Sequence, residues 1–193
     1  MVLKRVVMAR IDGGLARRVS ALLTARALRA FVRSRNGNAA VEFAMVAAPF
    51  LALLVAILET ALVFFAQQVL QTATTESGRL IMTGQAQSQS MTAGQFQKAV
   101  CANTAVLFNC ANIYVNVQTF SSFSSMSDFN PLQNGNFNNG SMNYSMGIPG
   151  DIELVQVFYQ WPVLTAPLGF NLSNMNGSSR LLVGTAVFRN EPY

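Results

Sequence analysis

The longest pattern along this chain is apolar. From Phe43 to Leu58 sixteen consecutive residues, FAMVAAPFLALLVAIL, carry no charge. Counted from Ala39 to Ala66 the stretch runs for 28 residues, broken only by Glu42 and Glu59. About 20 helical residues cross a bilayer core, so this predicts one transmembrane helix. A soluble helix apolar on every side would need a much larger protein to cover it. Pro49 removes one backbone hydrogen bond, a loss that membrane helices tolerate. Helical spacing then continues through Gln67–Ala73 to Leu80 and Ile81, with no breaker before Gly78 and Gly84. One long helix over 38–83 is therefore expected, part in lipid and part beyond it.

A second pattern follows. Phe96 and Val100 suggest a short helix ending near Cys101. Ile113–Thr119 alternates as a half-buried strand does, and Ile152–Trp161 and Leu181–Phe188 read as two more strands, the first stopped by Pro162. Between the first two lies 121–150, which holds 7 Ser, 6 Asn and 4 Gly and reads as a long loop with little to bury. Its Phe123, Phe129 and Phe137 are expected to pin it to the sheet, with a neighbouring molecule as the other reading. The fold class is thus α+β: a long N-terminal transmembrane helix continuing into a small extracytoplasmic domain with an antiparallel sheet of about three strands. The organisation expected is a leader at 1–37, the helix and its extension at 38–83, and the α+β domain at 84–193.

Charge adds an orientation. Nine of the thirteen basic residues precede position 38, with Asp12 the one acid among them, so this arm carries +8 and the remainder −3. Basic residues before the span and their scarcity after it place the N-terminus in the cytoplasm and the C-terminal region outside. Two readings of the arm stand, a helix on the anionic inner leaflet and a tail whose charges only set topology. A nucleic-acid-binding arm is disfavoured, because Phe31 is its one aromatic residue.

Candidate chemistry is sparse. There is no histidine, which removes Ser-His-Asp triads, Cys-His dyads and histidine-ligated metal sites. Asp151 and Glu153 read as a solvated strand end rather than an acid/base pair. No enzyme activity, cofactor or metal is expected. The two cysteines, Cys101 and Cys110, both fall in the exported part, where a disulfide is permitted; two unrelated thiols is the alternative. An ionisable residue inside a span is costly, so Glu42 and Glu59 need a role. Glu59 reads as a solvated boundary group, with assembly at the membrane boundary as the other reading.

Glu42 comes with a context. A basic leader ends in Gly37, and Asn38-Ala39-Ala40-Val41-Glu42-Phe43 opens the apolar run. This resembles the processing signal of type IV prepilins, in particular the TadE-like proteins of the tight adherence (Tad) pilus. Leu58-Glu59-Thr60, Gln67–Ala73, Gly78-Arg79 and Thr83–Ala86 are similar to that family's helical region, and Val155–Pro162 and Val187–Tyr193 to its C-terminal strands. The resemblance implies a single-pass protein of the bacterial inner membrane, its C-terminal domain periplasmic, which enters or primes a pilus as a minor pilin or pseudopilin. It implies a prepilin peptidase as partner, cutting between Gly37 and Asn38, with Glu42 and Phe43 serving processing and assembly. Other pilins or pseudopilins, the inner-membrane assembly machinery and membrane lipid complete the partners, with no nucleic acid. The alternative is a membrane-tethered extracytoplasmic binding module that never joins a pilus.

Overall fold

The computed structural model describes residues 37–104, 107–127, 129–164 and 170–193. The basic arm, with both readings made of it, lies outside the described residues. Helix α1 spans Asn38–Met82 without interruption through Pro49, followed by a one-turn α2 (Gln85–Ser88) and by α3 (Ala93–Ala102). The strands are β1 (Ile113–Phe120), the two-residue β2 (Leu132–Gln133) and β3 (Asn136–Phe137), β4 (Ile152–Pro162) and β5 (Ser179–Arg189). The expected α+β class is what the chain adopts. Contacts divide the chain after Leu51, and the unit from Ala52 to Tyr193 contains the later turns of α1 and the whole sheet.

The main sheet is antiparallel in the order β1-β4-β5, so the chain returns from β1 through a long excursion to place β4 in the middle. Register is set by pairs such as Val117↔Val155 and Tyr159↔Leu182. One face carries Ile113, Val117, Val155, Val157, Tyr159 and Leu182, packed with Val63, Ala66, Leu70, Ala73, Ile81, Phe96 and Val100 from the helices. Each fully buried aliphatic or aromatic side chain there contributes about 1.5–3 kcal/mol.

β4 is buried along almost its whole length, because its second face is covered too. The segment 121–150, expected to bury little, is the cover. Phe137 lies 4.8 Å from Tyr114 and 6.3 Å from Phe158, and Phe129 lies 6.1 Å from Phe158, measured between ring centroids. Phe123 does not join them and is 64% exposed. The polar pair Asn116 and Gln156, opposite each other in the register, is buried beneath this segment. Asn116 Nδ2 donates to Gln156 Oε1 at 3.1 Å and its Oδ1 accepts from Asn143 N–H at 2.9 Å.

Both edges of the sheet are partly covered by hydrogen bonds, which shortens the exposed edge that invites strand addition. At β1, Val117 N–H donates to Asn143 and Ser145 N–H donates to Val117. At β5 the work is done by the helix. Gln67 donates to the Val183 carbonyl at 2.7 Å and accepts from its N–H at 3.4 Å; Gln71 does the same for Thr185, at 2.8 and 3.0 Å. Four helical residues rise about 6 Å and two strand residues about 6.6 Å, so two glutamine amides can imitate a neighbouring strand. This needs a close approach, and Gly184 supplies it. A Cβ on Gly184 would lie 2.1 Å from Thr74 Oγ1 and 2.9 Å from the Leu70 carbonyl.

α3 begins with a capping box, Thr92 Oγ1 accepting from Gln95 N–H and Gln95 Oε1 from Thr92 N–H. It ends at the disulfide between Cys101 and Cys110, whose Cα atoms are 5.5 Å apart. Closing so short a loop contributes about 2–3 kcal/mol. Gln97 donates to the carbonyls of Cys110 and Ile113, tying α3 to that loop and to the start of β1.

Candidate assembly and processing site

Gly37 immediately precedes Asn38, the first residue of α1. Glu42 lies four residues into the helix, so positions 38 and 42 share one face at a rise of about 6 Å. Glu42 is exposed, and the side chains around it are large, apolar and exposed as well: Val41, Phe43 at 75%, Met45, Val46 and Phe50. By length and composition α1 is long and apolar enough to cross a membrane. What the first turns of α1 offer is an apolar surface carrying one carboxylate.

Glu59 sits differently. It lies in line with Ala56, Val63, Ala66, Leu70 and Ala73, on the buried face of the helix, and is only 8% exposed. Its carboxylate accepts from the backbone N–H of Leu164, just beyond the end of β4. The solvated boundary group expected at this position is therefore replaced by a buried one. The reason is long-range: the chain after β4 comes back to the helix 105 residues from Glu59.

The family model of TadE-like proteins matches residues 37–79. Over this helix the chain is TadE-like. The match relates the protein to the Tad pilus system, and it opens at Gly37 and closes just short of the end of α1. No curated protein and no solved structure matches the chain. The sheet domain lies outside the TadE-like match and is described by its own geometry.

Its most polar spot is Glu153, which is fully buried on the helix-facing side of β4. The solvated strand end expected for Asp151 and Glu153 is not what forms. Asp151 precedes β4 and its carboxylate accepts from Ile148 N–H. Glu153 accepts from Gly147 N–H at 2.6 Å, from Thr119 Oγ1 at 3.0 Å and from Asn190 Nδ2 at 3.4 Å. Burial pushes its pKa up to about 7, with the nearby Asp151 charge acting in the same direction and these hydrogen bonds opposing both. Asp151, Gly147 and Asn190 belong to the turn before β4 and to the tail, so the carboxyl ties the two together.

The closing FRNEPY completes the tie. Asn190 N–H donates to the Asp151 carbonyl, Glu191 N–H to Met82 at the end of α1, and Tyr193 Oη to the Gly147 carbonyl. The Tyr193 ring covers Gly84, whose φ of 74° is in the left-handed region and whose missing side chain leaves the ring its place. These residues were expected to form a strand and its end. Their further role, locking the end of α1 to the sheet, had one sequence signal: a glycine just past the end of a helix.

Proposed function

We propose that the protein is a non-enzymatic minor pilin or pseudopilin of a Tad-type pilus, cut by a prepilin peptidase after Gly37 and assembled through its apolar helix. The observation that carries this reading is the TadE-like match, which begins at the glycine itself and runs along a helix whose exposed surface is apolar around one carboxylate. Before cutting, the arm orients the chain with its N-terminus in the cytoplasm and its C-terminal domain in the periplasm. Cutting removes the arm's +8 and creates an amine on Asn38, one helical turn from Glu42. In a low-dielectric surrounding that ammonium, from the same subunit or a neighbour, neutralises the carboxylate, and a subunit out of register leaves a charge buried and unpaired. Partners on this reading are the peptidase, other pilins or pseudopilins, and the inner-membrane machinery that moves them.

The test is a pair of substitutions in cells that make the pilus. Gly37→Val leaves the arm attached. Glu42→Ala is still cut, but its incorporation into sheared pili falls by at least about ten-fold, as loss of a buried charge partner requires. Normal incorporation of both variants would sink the roles given to cutting and to Glu42, whereas absence of even the wild-type protein from sheared pili would favour a tethered binding module.

A further inference from the structure

Between Glu42 and Gln67 lie 24 residues, 43 to 66, with Glu59 the only charge. With Glu42 as the inner limit of the span, as the cost of a charge in lipid favours, any 20-residue span before Gln67 contains 47–62, and so contains both Ala56 and Glu59. Glu59 is then three to seven residues, about 5–10 Å, inside the C-terminal limit of the span. Ala56 is deeper by one turn. Yet both are buried, while Val55, Ile57, Leu58 and Leu62 around them are exposed. Covered positions on a helix at that depth mean that the domain reaches down along it.

The part that reaches is the chain following β4. Val163 is held in place, buried and donating to the Ser178 carbonyl. Leu164 donates its N–H to Glu59 and turns its side chain outward, 80% exposed, beside a helix whose neighbouring positions Ile57, Leu58 and Leu62 are exposed and apolar. From Trp161 to Phe170 the sequence has no charge. We infer that Leu164, directly after β4 and anchored by the buried Val163, is a second membrane contact, its side chain inserted among the lipid acyl chains beside the helix at the level of Glu59. The inference rests on the reading of α1 as a membrane span. It explains two things together: an outward leucine continuous with the lipid-facing surface, and a carboxylate in the span that is shielded from lipid and hydrogen-bonded by backbone.

The occupant argued for is lipid, because the exposed leucine adjoins the apolar surface of the span and shares its depth. The experiment uses the full chain, one copy per phosphatidylcholine nanodisc, with lipids brominated high in their acyl chains as the quencher. Trp161 is the only tryptophan, so Trp161→Phe gives a silent background into which Leu164→Trp, Leu54→Trp or Phe123→Trp is placed. The Leu164→Trp emission is expected to fall by about half or more, as shallow acyl-chain depth requires, and the Phe123→Trp emission to change little. Leu54→Trp, quenched by lipid brominated at mid-chain, reports the span by itself. Quenching at 54 without quenching at 164 overturns the second contact and leaves the span standing. No quenching at 54 overturns the span instead. Should Trp161→Phe fail to fold, wild-type protein labelled by a bilayer-soluble diazirine gives the same decision. Label on the peptide carrying Leu164 supports the contact, and label confined to the helix peptide refutes it.

Discussion

Glu153 makes a quantitative claim that can be worked through. Its pKa is held at about 7 by burial between β4, the turn at Gly147 and the tail, against an ordinary carboxyl value of 4.5. A carboxyl whose pKa is raised on folding favours the protonated native state, so its contribution is complete below about 4.5 and is lost as pH rises to about 7. The full shift corresponds to roughly 3 kcal/mol, and relaxation of the site as the buried carboxyl ionises reduces this to about 1–2 kcal/mol. Because the chain has no histidine, no other side chain ordinarily titrates across this window. The perturbation is Glu153→Gln, which keeps an acceptor for Gly147 N–H and Thr119 but cannot ionise. The assay is thermal unfolding of the purified protein in detergent, followed by the fluorescence of Trp161 between pH 5 and pH 8. Wild-type melting should fall by about 2–8 °C over that range, and the variant should stay nearly flat and match or exceed wild type at the alkaline end. A wild-type melting point that rises with pH, or a variant that keeps the slope, would refute the reasoning.

Two further outcomes test the packing. Gly184→Ala places a methyl against Thr74 and the Leu70 carbonyl and should destabilise the protein by about 1–3 kcal/mol, read as a lowered melting temperature; an unchanged one would mean the helix does not lie where described. Gln67→Ala and Gln71→Ala each leave an amide and a carbonyl of β5 unpaired. Gln67→Ala should cost about 1–2 kcal/mol and Gln71→Ala, whose partner Thr185 is open to water, about 0.5–1 kcal/mol; they should speed exchange of the Val183 and Thr185 amide hydrogens respectively, and unaltered exchange would count against the edge cover.

Much of the architecture was legible because two periods are written plainly in the chain. An unbroken apolar run gives α1, and alternation gives the three long strands, whose observed limits, Ile113–Phe120, Ile152–Pro162 and Ser179–Arg189, differ from those expected by a residue or two. Other signals were local and went unread. Asn134-Gly135, both with positive φ, makes the tight turn between β2 and β3, and Thr92 with Gln95 caps α3. The rest was not available to local reading at all. Glu59 and Glu153 are buried because segments 105 and 37 residues away come to cover and bond them. Gln67 and Gln71 look like ordinary surface glutamines until β5 arrives beside them. The proposed processing roles of Gly37 and Glu42 came from the resemblance of the leader end and helix start to a prepilin signal, a local pattern that needs no tertiary structure.

The central claim is that the apolar helix becomes an assembly element when the basic arm is cut away. N-terminal sequencing of the protein recovered both from membranes and from sheared appendages tests this most directly. The account predicts a chain that begins at Asn38 in both fractions. Protein that keeps its arginine-rich arm in cells making the pilus, or that never appears among the sheared material, would contradict it.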